Sequence, residues 1–489
     1  MDTYLIYYKP EESWVGDVIP FFNERNYCIC YLNERRHNGI PAEKTAWYMV
    51  ETTDFCRYIE KGVVLQAGTD EEIDRSCYTG SVIQCNDGSI HLFYTAVNAK
   101  SEKFKEKGRP LQSIAHGSGT DIMSINKDRE FVLHADGACD IYDWRDPFVF
   151  YSQEDQCYIM LISTRDKQAD LRRGGQLYSL KSKDLKKWGN GSVFYAPDMY
   201  TMLECPECFQ WGDWWYLIFS TFSEKYMTHY RISRSVHGPW MIPENDTFEG
   251  RAFYAAKTVS DGRKRYLTGW IPTKKGSTDN GKWEWAGNLA AHELFQETDG
   301  TLSVKVNRSM MDVFQRKLAF SSVRNIGIVK KRDTGYWMDA ENGFAGICFD
   351  EMPENGYLEG KFKFSRGTSS FGIQLHTDED LNRGYCYRFE PLYQRVVFDL
   401  WPRHNLSEPV IPNDFEDDRP FDCGLERPIV LSPDEEVSFV LLIDRDICTL
   451  YINGTVALTV RCCHFDNKKW GFFVNGGVLE VTGVQCKRP

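Results

Sequence analysis

Apolar residues along this chain come in short runs of four to eight, broken by Gly, Asn and Asp, and helical periodicity is scarce. That pattern predicts an all-β protein. The runs recur as a larger unit: a polar start, an apolar strand, a charged or Gly-containing turn, and a second strand. Copies fall at residues 16–32, 78–96, 145–164, 204–221 and 252–271. With Asp17, Gly80, Asp146, Glu204 and Tyr254 taken as equivalent, successive starts lie 50 to 66 residues apart, which leaves room for four strands in each copy. Five such copies predict a five-bladed β-propeller over residues 1–310. The first strand of a propeller blade lines the central axis, so the five starts face one axial pocket. Three of them carry a carboxylate.

Beyond residue 310 the pattern changes. Residues 311–332 read as a connector of mixed character. From 333 to 489 the runs alternate strictly, as at 361–364, 371–375, 385–389 and 437–441, and Asn453-Gly454 marks a tight hairpin. Many strands with one buried face predict a β-sandwich. Residues 405–433, rich in Pro and Asp, read as a surface loop. The sandwich shows no acid cluster of its own, so support of the propeller is its expected role, with carbohydrate binding or dimerisation second.

Composition narrows the function. A formal charge of −12 disfavours a nucleic-acid or anionic-membrane partner, since both need clustered Lys and Arg. No apolar stretch approaches the roughly 18 residues that span a bilayer. Met1-Asp2-Thr3-Tyr4 lacks the basic and apolar regions of a signal peptide, which predicts a cytoplasmic protein. The 16 cysteines are scattered and often sit within apolar runs, the pattern of buried, reduced thiols. Cys205 and Cys208 form a lone CxxC with no second pair at zinc spacing, so neither a metal site nor a cofactor is expected.

The candidate chemistry is that of Asp17, Asp146 and Glu204. Carboxylates crowded in an apolar channel are held there against repulsion and desolvation, and the resulting differences in pKa are useful in catalysis. Two of them about 5 Å apart suit retaining glycoside hydrolysis, and a wider gap suits the inverting reaction. Apolar neighbours around Glu204 favour the protonated form that an acid catalyst needs. Asp143 and Glu207 are the rivals; strict alternation sets Glu204 and Glu207 on opposite faces, so only one would enter the channel. Aromatic faces pack on sugar C–H faces, and Trp14, Trp47 and Trp283 or Trp285 lie in loop-like contexts near blade starts.

These residues resemble glycoside hydrolase family 32, the β-fructofuranosidases. The family's Arg-Asp-Pro motif is matched by Arg145-Asp146-Pro147 and its Glu-Cys-Pro motif by Glu204-Cys205-Pro206. Similar pieces surround them: Tyr78-Thr79-Gly80-Ser81, Phe253-Tyr254-Ala255 and Gly269-Trp270. The resemblance implies that Asp17 is the nucleophile, Asp146 a transition-state stabiliser and Glu204 the acid/base, supported by Arg145 and Cys205. With them, Trp14, Trp47, Ser81, Tyr254 and Trp270 complete the expected sugar-binding set. The first family block departs: Gly16 stands where the family carries an Asn beside its nucleophile, and Leu32 where many members carry Gln. The expected function is a retaining hydrolase of terminal β-fructofuranosyl residues on a short or unusual fructoside, with a small carbohydrate as partner and a homo-oligomer left open. Alternatives are another furanoside or a fructose dianhydride, transfer to a sugar acceptor, and a non-catalytic carbohydrate-binding propeller.

Overall fold

The computed structural model describes residues 4–36, 43–135, 137, 139–223, 225–341, 343–401, 424–464 and 466–489. Within them the chain is almost wholly antiparallel sheet, as the short apolar runs predict.

The first three hundred residues form five successive up-and-down groups. In the first, β1 (Trp14–Asn23), β2 (Asn26–Glu34), β3 (Trp47–Thr52) and β4 (Ile59–Leu65) pair in order. The second holds β5 (Ser76–Gln84) and β6 (Ile90–Val97), a short ribbon of β7 (Lys105–Glu106) and β8 (Arg109–Pro110), then β9 (Gln112–Gly119) and β10 (Asn126–Leu133). The third runs β11 (Cys139–Ser152), β12 (Cys157–Asp166), β13 (Gly175–Ser182) and β14 (Gly189–Tyr195). The fourth is β15 (Glu204–Trp211), β16 (Trp214–Thr221) and β17 (Met227–Ser233), extended by isolated bridges from His229 to Thr247 and from Ile232 to Met241. The fifth is β18 (Tyr254–Ser260), β19 (Arg265–Lys274), β20 (Trp283–Gln296) and β21 (Leu302–Lys305). One pairing, Val15 with Gly287, joins the fifth group to the first. The opening strands also pack in sequence, β1 on β5, β5 on β11, β11 on β15, β15 on β18 and β18 back on β1.

Each opening strand breaks register at the same level. The shifts fall between Val15 and Val18, Tyr78 and Gly80, Arg145 and Phe148, Glu204 and Glu207, and Tyr254 and Lys257. These are β-bulges, in which one strand carries an extra residue and re-aims its side chains. Asp146, Cys205 and Ala255 take left-handed φ of 56°, 50° and 51° within theirs. In β1 Gly16 and Asp17 together face Leu32, and in β5 Thr79 is the extra position. The repeat therefore has a backbone signature that strict alternation does not contain.

The remaining chain builds two further antiparallel sheets around one core, in which Phe362, Phe371, Phe389, Phe439 and Phe472 meet. The stretch expected as a connector contributes strands to both: Ser322–Ile326 pairs with Phe344–Phe349, and Ile328–Arg332 with Gly335–Asp339. Of the expected surface loop, residues 405–423 lie outside the described residues. The part after them departs from the expectation, because Glu426–Pro428 is a strand whose Arg427 is buried on Thr247, Glu249 and Asn245. The two halves share a core cluster in which Tyr7 and Ile271 join Tyr357, Leu442 and Tyr451.

Candidate active site

The bulges bring Asp17, Asp146 and Glu204 into one cavity of about 600 Å³, lined also by Arg145, Cys205, Tyr254 and Trp270. These residues span 254 positions of sequence, and opening strands from four of the five groups supply all but Trp270, which β19 carries.

Asp17 is held between two donors. Thr79 Oγ1 donates to its Oδ2 (2.5 Å) and Trp270 Nε1 to its Oδ1 (2.9 Å). Burial pushes its pKa up; the Thr79 bond opposes this, the Asp146 charge adds to it, and the Trp270 bond and the Lys257 ammonium oppose it. Lys257 is itself buried and donates to the Gly80 carbonyl (2.7 Å), which fixes a cation close to the carboxylates.

Asp146 is almost fully buried. Its own N–H donates to Thr95 Oγ1 (2.8 Å), and its Oδ2 accepts from the Cys205 N–H (3.0 Å). The left-handed φ values at Asp146 and Cys205 create this carboxylate-to-backbone contact between neighbouring groups. A non-Gly residue in that region costs energy and persists only where its surroundings fix it.

Glu204 accepts from Arg145 Nη2 at Oε1 (3.0 Å) and from the Tyr254 hydroxyl at Oε2 (2.8 Å). Burial raises its pKa, the Arg145 charge pulls it back, and the Asp146 charge raises it further. Burial disfavours the charge on Arg145, yet Glu204, Asp146 and Asp143 together hold its guanidinium protonated and above its ordinary range. Burial thus biases both carboxyls toward protonation, but Glu204 faces the Arg145 guanidinium while Asp17 is gripped by the neutral donors Thr79 and Trp270, and such unlike surroundings suit acid/base and nucleophilic work.

Three expected sugar contacts lie elsewhere. Trp47 is fully buried among Ile19, Leu32, Cys77 and Leu92, its Nε1 donating to the Tyr78 carbonyl (3.0 Å), because β3 is a core strand and not a loop. Ser81 Oγ accepts from the Val149 N–H (3.0 Å), tying β5 to β11; the bulge gives the cavity-facing position to Thr79 instead. Trp14 is absent from the cavity wall and carries the Lys9 ammonium over its ring at 4.6 Å.

The rivals also settle outside the cavity wall. Asp143 pairs with Arg145 and, at 3.5 Å, with Arg165. Glu207 is buried and accepts from the N–H and hydroxyl of Thr258, both at 2.5 Å. Glu204 and Glu207 do not face opposite ways, although strict alternation predicts it. Glu204 pairs with Ser220 and Glu207 with Ile218, two residues apart, so the bulge puts both acids on the same sheet face and depth alone separates them. Thr79, Thr95 and Lys257 escaped the sequence reading, whereas Trp283 and Trp285, singled out there as alternative sugar contacts, both line the cavity. Pro147 and Pro206 were the available signal, since proline inside a sheet is confined to edges and bulges.

The chain matches the model of the Glycosyl hydrolases family 32 N-terminal domain over residues 7–303. It belongs to that family. Among characterised relatives it is 24% identical over 312 residues to a sucrose-6-phosphate hydrolase of Escherichia coli, covering 60% of this chain and 62% of that protein. It is also 24% identical over 345 residues to an Escherichia coli raffinose invertase, covering 66% and 68%. The match thus spans less than two thirds of the sucrose-6-phosphate hydrolase's length. Exo-inulinase from Aspergillus awamori shares the fold, with a TM-score of 0.72 at 16% identity, covering 99% of this chain and 97% of that one. Sucrose-6-phosphate hydrolase from Lactobacillus gasseri does so with a TM-score of 0.71 at 17% identity, covering 99% and 93%.

Proposed function

We propose that this protein is a retaining glycoside hydrolase that removes terminal β-fructofuranosyl residues from a short fructoside or fructo-oligosaccharide. The observation that carries the reading is the meeting of Asp17, Asp146 and Glu204 in one cavity, each with different partners. A five-bladed propeller fits the order in which the opening strands pack, with the two later sheets as a β-sandwich whose strands begin before residue 333. Under this reading the five bulges turn the axial end of the blades into the substrate pocket.

In the first step a carboxylate oxygen of Asp17 attacks the anomeric C2. The bond from C2 to the leaving oxygen breaks as Glu204 gives that oxygen its proton. Glu204, now ionised, takes a proton from water, whose oxygen attacks C2 and frees Asp17. Asp146 holds fructosyl hydroxyls, and Arg145 keeps Glu204 aimed while tempering its pKa. Among the described residues no helix is long and apolar enough to cross a membrane.

The test is fructose release from sucrose, sucrose 6-phosphate, raffinose and inulin, with proton NMR following the anomeric configuration of the first product. Retention is expected, along with loss of turnover in Asp17→Asn and Glu204→Gln variants that fold normally. Wild-type-like activity in either variant, or an inverted first product, overturns the proposal. A phosphorylated fructoside is a second reading, favoured by Arg251, which lines the same cavity with its guanidinium 4.0 Å from the Tyr226 ring centre.

A further inference from the structure

Gly16, directly before Asp17, is a tightly enclosed glycine. A Cβ placed on it would stand 2.7 Å from both Cζ2 and Cη2 of Trp285 and 3.0 Å from the Leu32 carbonyl oxygen. Real Cβ atoms do not approach ring carbons so closely, so the Trp285 indole occupies the space that a side chain at position 16 would need.

The ring is held there by its backbone. β19 and β20 lose register between Pro272 paired with Gly287 and Thr273 paired with Glu284, so Trp285 and Ala286 bulge out together. Ala286 is buried with a left-handed φ of 68°, a strained state for a residue with a side chain. Both flanks are anchored. Arg36 pairs with Glu284 at 2.9 Å, and Thr273 Oγ1 donates to the same carboxylate (3.0 Å). On the other side Gly287 is pressed so closely on the Ile271 carbonyl that a Cβ would lie 1.6 Å from its oxygen. The indole nonetheless keeps 37% of its surface exposed, lines the cavity, and meets Trp270 edge-on at 6.3 Å. A large aromatic held open in the wall of the cavity by a strained and clamped backbone is built to be covered by a ligand.

The geometry points to Gly16 and Trp285 acting as one specificity-determining unit, in which the absence of a side chain at position 16 lets the Trp285 ring form the pocket wall beside Asp17 and receive the C–H face of the bound sugar. The inference rests on a sugar being the ligand, and it deepens the fructosidase reading by naming how the sugar is gripped. An Asn at position 16 would offer the sugar a directional polar contact; this chain offers an aromatic plane instead. Trp285 is a positioning residue here, without proton or bond chemistry of its own.

The experiment is a double-mutant cycle of Gly16→Asn, Trp285→Ala and the pair together, with Trp285→Phe as the conservative control. Steady-state kinetics on the best fructoside is combined with calorimetric binding of fructose, glucose and arabinose, and near-UV circular dichroism confirms folding. Trp285→Ala is expected to raise KM and the dissociation constant about ten-fold, a scale set by the loss of one aromatic contact, with kcat within about three-fold. Trp285→Phe should recover most of the loss. Gly16→Asn should weaken binding with Trp285 present and do much less with Ala at 285, so the two effects do not multiply. Binding within two-fold of wild type in Trp285→Ala, or strictly multiplicative effects, overturns the pairing. Fructoside cleavage that is indifferent to Trp285 removes the inference and leaves the fructosidase reading standing. Trp285-dependent binding of another sugar by a protein that neither cleaves nor binds fructosides does the reverse, and binding of no sugar removes both.

Discussion

Arg145 reaches across from β11 to place Nη2 3.0 Å from Oε1 of Glu204 on β15, while its Nη1 is shared between Asp143 and Gln112. It therefore fixes the orientation of the Glu204 carboxyl and also opposes the rise in pKa that burial imposes. Replacing Arg145 with Met removes both effects. Under the proposed mechanism the proton on Glu204 sets the alkaline limb of kcat/KM, which should move to higher pH, and the maximal rate should fall about 100-fold as positioning is lost. A pH–rate profile checks this, and an unmoved alkaline limb would deny Glu204 the acid role.

Thr79 tests the other carboxylate. Its hydroxyl lowers the pKa of Asp17, so Thr79→Val lets that pKa rise. Under the proposed mechanism Asp17 attacks only when ionised, so the acidic limb of kcat/KM should shift upward, with a loss of about ten-fold at acidic pH.

The same burial carries a cost in stability. Asp17 has a folded-state pKa above its unfolded one, so its contribution to stability is largest below the unfolded value near 4 and is lost as pH rises through the raised value. Asp17→Asn should therefore melt higher than wild type at pH 7, by about 2 °C, while the gain fades as pH falls toward 4. Calorimetry across pH 4 to 8 reads this directly. A catalytically dead protein that is also more stable marks a site selected for reaction at the expense of the fold.

Arg461 supplies a prediction about the second half of the chain. Buried and far from the carboxylates in sequence, it donates to the carbonyls of Pro272 (2.6 Å) and Ile271 (3.2 Å), to Asn288 (2.6 Å) and to Asp446 (2.6 Å). Pro272 lines the cavity. Arg461→Met leaves buried carbonyls and Asp446 short of a partner and should cost about 3 kcal/mol or more in denaturant unfolding. Activity per folded molecule should fall as well, because the edge of β19 is released.

Much of this was legible in the chain itself. The five starts, Arg145-Asp146-Pro147 and Glu204-Cys205-Pro206 located all three carboxylates, because charged residues at equivalent places in a repeat converge whenever the repeat closes. The bulges were not legible. Period-two reasoning assigns faces from sequence distance alone, and one inserted residue per strand overturns it, as Glu204 and Glu207 demonstrate. Tryptophans were ambiguous for a different reason. Core packing and sugar binding use the same surface, so Trp47 and Trp285 differ only in what the backbone around them permits.

The partners of Asp17 lie 62 and 253 residues away along the chain. A ribosome that has released β1 through β18 has made Asp17, Asp146 and Glu204, yet Trp270 on β19 and Trp285 on β20 are still to come. If the proposed mechanism holds, hydrolysis waits for residue 270 and cannot begin on a chain that stops before it, however well its early hairpins form. A fragment ending before residue 270 should therefore be inert although it carries β1 to β18 and all three carboxylates.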